Sequence, residues 1–175
     1  MKLTAPFNLQ KWIDDNQEFL KPPIGNKNLY IDSGDYIVMI VGGPNARKDY
    51  HFNETEELFY QLEGTIEVSV QLDGKSQVIE IGPGEMFLLP GNIPHSPRRP
   101  AKSVGLVIER KRETKMNDGL QWYCDKCNHK LYDSYFHLTN IENDFFPVFK
   151  KFYNSEELRT CDSCGHMMEI DERFV

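Results

Sequence analysis

No stretch of this 175-residue chain reaches the roughly 18 consecutive apolar residues of a membrane-crossing helix. Its start, MKLTAPFNLQKWIDD, meets charge too early to form a signal-peptide core, so the expectation is a cytoplasmic protein with no membrane partner. Basic residues are the minority, 20 against 27 acidic, for a net charge of −7. That balance argues against a surface that tracks nucleic-acid phosphates, while leaving room for a local basic pocket for a small anion. Low-complexity tracts and internal repeats are missing. Cysteine is scarce, and all four cysteines fall in two CxxC pairs, which in a reducing compartment favours metal ligation over disulfides.

What is there suits one medium domain with a small appendage. Hydrophobic residues make up 39 % and aromatics 12 %, enough for a real core. Asn8 can cap a first helix whose Leu9, Trp12, Ile13 and Leu20 form one apolar stripe, stopped by Lys21-Pro22-Pro23. From Tyr36 the period changes. YIVMIVGG, LFYQLEGTIEVSVQL, VIEI, MFLLP and VGLVIE are short and rich in β-branched and aromatic residues, and Asp73-Gly74 and the GPGE at 82–85 read as turns. The fold expected is mainly β, a sandwich or barrel. The charged, turn-rich ETKMNDG after Arg112 places a boundary there, giving a barrel over 1–112 and a metal-bound segment over 113–175. In the latter, Pro147 opens a helix carrying Val148, Phe149 and Phe152.

The central pattern is His51-x5-Glu57-x6-Gly64, followed by Gly84-x5-Pro90-x4-His95. Two imidazoles and one carboxylate give a dication three firm bonds on one face and leave three positions open, the arrangement of non-haem Fe(II) oxygenases. In a barrel, His51 and Glu57 are expected on adjacent hairpin strands with His95 on a third, all pointing inward. A lone histidine is more often a surface or hydrogen-bonded residue; the joint spacing with turn glycines and a proline makes the difference.

These two stretches resemble the paired motifs of the cupin superfamily. Where the first motif usually has a second histidine the chain has Asn53, and the second motif's usual Gly and Asn are Asn92 and Arg99. APFNLQKWI, LKPPIGN, VGGPNARKDYH, EELFYQLEG, FLLP, HSPRRP and LVIER further resemble the 3-hydroxyanthranilate 3,4-dioxygenase family, in its short form with a C-terminal CxxC…CxxC segment. The resemblance runs from about residue 5 to the end. It implies a cupin barrel with catalytic Fe(II) on His51, Glu57 and His95, and ring opening of 3-hydroxyanthranilate by O2. The product, 2-amino-3-carboxymuconate semialdehyde, closes to quinolinate on the route to NAD. It further implies Arg47 and Arg99 as substrate-binding arginines, Glu109 as an acid–base group, Asn26 and Pro97 as pocket lining, and a homodimer. Spacing by itself does not choose between Arg98 and Arg99; the family register chooses Arg99.

Cys124-x2-Cys127 and Cys161-x2-Cys164 each bring two sulfurs onto one ion, and together they complete a tetrahedral site that suits Zn or Fe. Asn128 and Gly165 follow the two pairs, where a left-handed backbone directs amides at sulfur. A structural role is expected, since ring opening needs no external electrons. Met167 and Met168 read as packing residues, and His129, His137 and His166 as non-ligands. Two other readings compete: a non-catalytic cupin binding a small acid, and a zinc-ribbon interaction module, against which the acidic balance counts.

Overall fold

The computed structural model describes residues 3, 5–22, 25–139 and 144–175; Pro23, expected to help stop the first helix, lies outside them. Helix α1 (Leu9–Asp15) starts where Asn8 Oδ1 accepts from Lys11 N at 2.8 Å. It ends earlier than the apolar stripe suggests. Asn16 Nδ2 donates to the Trp12 carbonyl at 2.7 Å, and the chain continues as a 3-10 turn over Gln17–Leu20. The stripe still works as one surface, with Ile13 and Leu20 buried beside Ile40 and Val104.

Eleven strands follow among the described residues: β1 (Asn26–Asn28), β2 (Tyr36–Gly42), β3 (Tyr50–Phe52), β4 (Glu57–Glu63), β5 (Ile66–Leu72), β6 (Lys75–Ile81), β7 (Met86–Leu89), β8 (His95–Arg98), β9 (Val104–Arg110), β10 (Asp118–Tyr123) and β11 (Lys130–Phe136). They form two antiparallel sheets, ordered β1-β2-β9-β4-β7 and β11-β10-β3-β8-β5-β6. Alternation along each strand sends one set of side chains inward. Phe59, Val68, Val70, Leu89 and Val107 make the core between the sheets. Asp73 (φ 51°) and Gly74 (φ 74°) turn the β5–β6 hairpin, two successive left-handed residues as the dipeptide foretells.

Two arrangements differ from expectation. β3 and β4 are not hairpin neighbours: β3 belongs to the six-stranded sheet and β4 to the five-stranded one. The chain crosses between them at residues 53–56, where a Cβ on Gly91 would come 2.4 Å from the Glu54 carbonyl, so only glycine lets the two segments touch. Second, strand pairing crosses residue 112: β10 pairs with β3, and β11 with β10, so the segment after Arg112 supplies two strands of the sheet that carries both histidines. Helix α2 (Phe146–Tyr153), with Pro147 in its first turn, packs Phe149, Phe152 and Tyr153 on Trp122 of β10. The Trp122 and Phe152 rings stack at 4.3 Å. Met168 is buried in the same cluster, whereas Met167 is 47 % exposed and is no packing residue.

Candidate active site

His51 and His95 are direct cross-strand partners on β3 and β8. Glu57 reaches them from the facing sheet, and the ligand atoms of the three residues lie within 4.8 Å of one another. All three side chains are buried. Each histidine has one nitrogen held: Nε2 of His51 meets Asp118 Oδ1 at 2.7 Å, and Nδ1 of His95 meets the Ile93 carbonyl at 3.1 Å. Those contacts leave His51 Nδ1 and His95 Nε2 with lone pairs to offer, the second-sphere fixing common to metal-bound imidazoles. His95 Nε2 lies 3.1 Å from Glu57 Oε2.

The departures from the cupin motifs now have structural reasons. Asn53, in place of a further histidine, donates from Nδ2 to Glu57 Oε2 at 3.4 Å, so it steadies the carboxylate instead of adding a fourth ligand. Asn92 takes φ 66°, the left-handed conformation for which the motif otherwise uses glycine.

Charge around the triad is arranged for a cation. Glu109 lies opposite Glu57 in the β4–β9 ladder, and Asp118 lies behind His51. Glu57, Glu109 and Asp118 are each at most 7 % exposed, against two enclosed guanidiniums, those of Arg99 and Arg112. With neutral histidines this leaves one uncompensated buried negative charge, which is costly unless a cation is present. A dication would reverse it to one net positive charge, suited to an anionic guest. In the metal-free site, where the histidines can carry protons, burial works against the Glu57 charge, but His95, His51 and Arg112 hold its pKa below the ordinary carboxylate value. Glu109 moves the other way, raised by burial and by Glu57 although Arg112 opposes the shift.

Burial separates the two neighbouring arginines: Arg98 is exposed, and Arg99 is 4 % exposed. Nη1 of Arg99 is buried without a hydrogen-bond partner. Its pKa is lowered to about 10 by burial, with Glu57 acting against the shift, so it stays charged at neutral pH. Gly105 makes the slot: a Cβ there would sit 2.6 Å from Gln61 Oε1 and 3.1 Å from Arg99 Nη1. Pro97 is half-buried and lies on the His95 side of β8 by the strand's period of two. Arg47 stands one ring away from the triad. Its guanidinium lies 3.1 Å from Asp49 and over Phe145 and Phe149 at 5.9 and 5.4 Å, and Phe145 in turn lies 5.4 Å from the His51 ring. Asn26, on edge strand β1, is two strands away from β9.

Sequence reasoning missed Asp118 and Arg112. Asp118 lies within the turn-rich ETKMNDG, and Arg112 immediately precedes it. No local signal marks either, because their partners lie across the sheets.

The four cysteines gather near the other end of β10. Cys124 and Cys164 Sγ are 3.7 Å apart, and Cys127 and Cys161 Sγ 3.6 Å. A tetrahedral ion with metal–sulfur bonds of about 2.3 Å has edges of about 3.8 Å, so the cluster has the required size. Asn128 (φ 61°) and Gly165 (φ 70°) take the same left-handed turn, each donating its amide to the first cysteine's carbonyl at 2.8 Å. Asn128 also exchanges amide hydrogen bonds with Gln71 of β5 at 2.8 and 2.9 Å, fastening this knuckle to the barrel.

The two facing sheets and the inward two-histidine, one-carboxylate set define a cupin whose three donors could hold a metal ion. The family model described as 3-hydroxyanthranilic acid dioxygenase matches residues 1–153, and the chain belongs to that family. Relatives named 3-hydroxyanthranilate 3,4-dioxygenase include one from Xanthomonas euvesicatoria pv. vesicatoria, 54 % identical over 99 % of this chain and 97 % of its own. Another, from Paraburkholderia phytofirmans, is 50 % identical over 93 % of each chain. Among solved structures, a cupin-2 domain containing protein from Shewanella frigidimarina has a TM-score of 0.44 at 20 % identity, covering 60 % of this chain and 100 % of that one. No helix among the described residues is long and apolar enough to cross a membrane.

Proposed function

We propose that this chain opens the ring of 3-hydroxyanthranilate with O2, using Fe(II) held by His51, Glu57 and His95. The observation that carries the reading is Arg99, a buried guanidinium with an unpartnered Nη1 beside the triad. Such a group lacks an anion, and the substrate brings a ring carboxylate. Bound Fe(II) would supply open positions for the substrate's neighbouring oxygen and nitrogen and for O2, with the electron-rich ring as reductant.

The protein's own groups do the rest. Arg99 grips the carboxylate through two parallel N–H donors and sets which ring edge faces the triad. Arg112 occupies Oε2 of Glu109 at 2.5 Å, which leaves Oε1 to take the hydroxyl proton. The raised pKa of Glu109 suits that exchange, because a stronger base takes a phenolic proton more readily. Arg47 adds a second cation, held by Asp49 and the two phenylalanine rings. Pro97 and Asn26 belong to this reading as lining, as do a homodimer and a cytoplasmic location.

Oxygen uptake with 3-hydroxyanthranilate, with and without added Fe(II), tests the reading. The expected result is one O2 consumed per substrate, dependent on iron. Tight binding of the acid without uptake at full iron occupancy would make the chain a non-catalytic cupin instead.

The four-cysteine site is assigned a structural role, with Zn or Fe as its ion. Cys161→Ser is expected to release that ion and lower the unfolding midpoint by more than about 5 °C, since a structural site contributes directly to folding. Any folded, iron-loaded fraction should retain turnover. A well-folded but inactive fraction would point to electron transfer from the cysteine site.

A further inference from the structure

We propose that Arg112 and Asp118 are positioning residues that tie the His51 ring to the proton-accepting Glu109, so that one guanidinium sets both metal affinity and proton transfer. The inference rests on the reading above, in which His51 holds iron and Glu109 accepts a proton.

The four groups form an unbroken chain. Arg112 Nη1 donates to Glu109 Oε2 at 2.5 Å. Its Nε donates to Asp118 Oδ2 at 2.8 Å, and its Nη2 to Asp118 Oδ1 at 2.5 Å. The same Oδ1 accepts from His51 Nε2 at 2.7 Å. The Arg112 side chain is 3 % exposed, Glu109 3 % and Asp118 0 %. The chain also joins the two sheets, since Glu109 sits on β9 and Asp118 begins β10, beside β3. Only a planar fork can bond both oxygens of one carboxylate and still reach a second; a lysine ammonium offers a single point.

The chemistry follows from the connections. Asp118 fixes which His51 nitrogen carries the proton, keeps the other nitrogen's lone pair available, and raises the basicity of the ring. Arg112 divides its charge between Asp118 and Glu109. It therefore fixes Glu109 by one oxygen and leaves the other free. An ordinary buried ion pair contributes little net stability, so stability alone gives weak reason for this cluster to stand behind a ligand.

Two variants of the full chain test the proposal. Asp118→Asn keeps size and an acceptor oxygen but loses the charge; Arg112→Lys keeps the charge but loses the fork. The readouts are the Fe(II) dissociation constant by anaerobic chelator competition, kcat and KM at saturating iron, and the metal content of the four-cysteine site as a control on folding. Asp118→Asn is expected to weaken Fe(II) binding about 10- to 100-fold with the cysteine-bound ion unchanged. Arg112→Lys is expected to weaken Fe(II) binding roughly 10-fold and, at saturating iron, to lower kcat roughly 10-fold with KM within about threefold of the parent. If any of these losses is absent, the coupling fails and the cluster is only structural. Should Asp118→Asn not fold, Arg112→Lys carries the test. A parent that neither binds iron nor consumes O2 overturns the functional reading itself, and this is measured before any variant.

Discussion

Replacing His95 by alanine is expected to strip iron from the triad and end oxygen uptake, while the four-cysteine ion stays in place. His95 is 1 % exposed, opposite His51 in the ladder and 3.1 Å from Glu57. Losing it leaves two protein ligands, and the loss should exceed the roughly 10- to 100-fold that follows removal of a second-sphere partner. Iron per chain after anaerobic loading and initial O2 uptake are the two measurements, and His51→Ala and Glu57→Ala should behave alike. A variant with full occupancy and parental turnover would remove its residue from the ligand set.

The second large effect separates Arg99 from general electrostatics. Arg99→Lys keeps the charge but loses the fork that matches a carboxylate, and it places an ammonium where burial already lowers the guanidinium's pKa. Losing a charged hydrogen bond costs about 1.5–3 kcal/mol, so kcat/KM for 3-hydroxyanthranilate should fall roughly 10- to 150-fold. Arg98→Lys, at an exposed position next door, should be nearly silent. 2-Aminophenol lacks the carboxylate; it should be a poor substrate for the parent and nearly indifferent to Arg99→Lys. Equal losses on both compounds would mean that Arg99 acts through folding or iron loading.

Legibility differed from residue to residue for physical reasons. Asn8, Asp73-Gly74 and the two CxxC pairs act within a few residues of themselves, and each does in the fold what its local chemistry demands. The strands read from apolar runs build the core between the sheets, but β10, which buries Leu120 and Trp122, was not among them. β3 and β8 escaped that reading, since YHF and HSPR are short and polar. Their polarity is the site itself: side chains that would be core elsewhere are replaced there by ligands.

By itself the sequence determined the donor types, their order along the chain and the sulfur pairs, because ligand chemistry and turn geometry depend on residue type and near neighbours. Only the tertiary structure decided that His51 faces His95 instead of pairing with the strand of Glu57, and that Arg99 is enclosed while Arg98 is exposed. It likewise brought Asp118, 67 residues further along, against the His51 ring. Sheet order sets these contacts. A strand's neighbours are chosen by the packing of the whole barrel, and no short stretch of sequence carries that information.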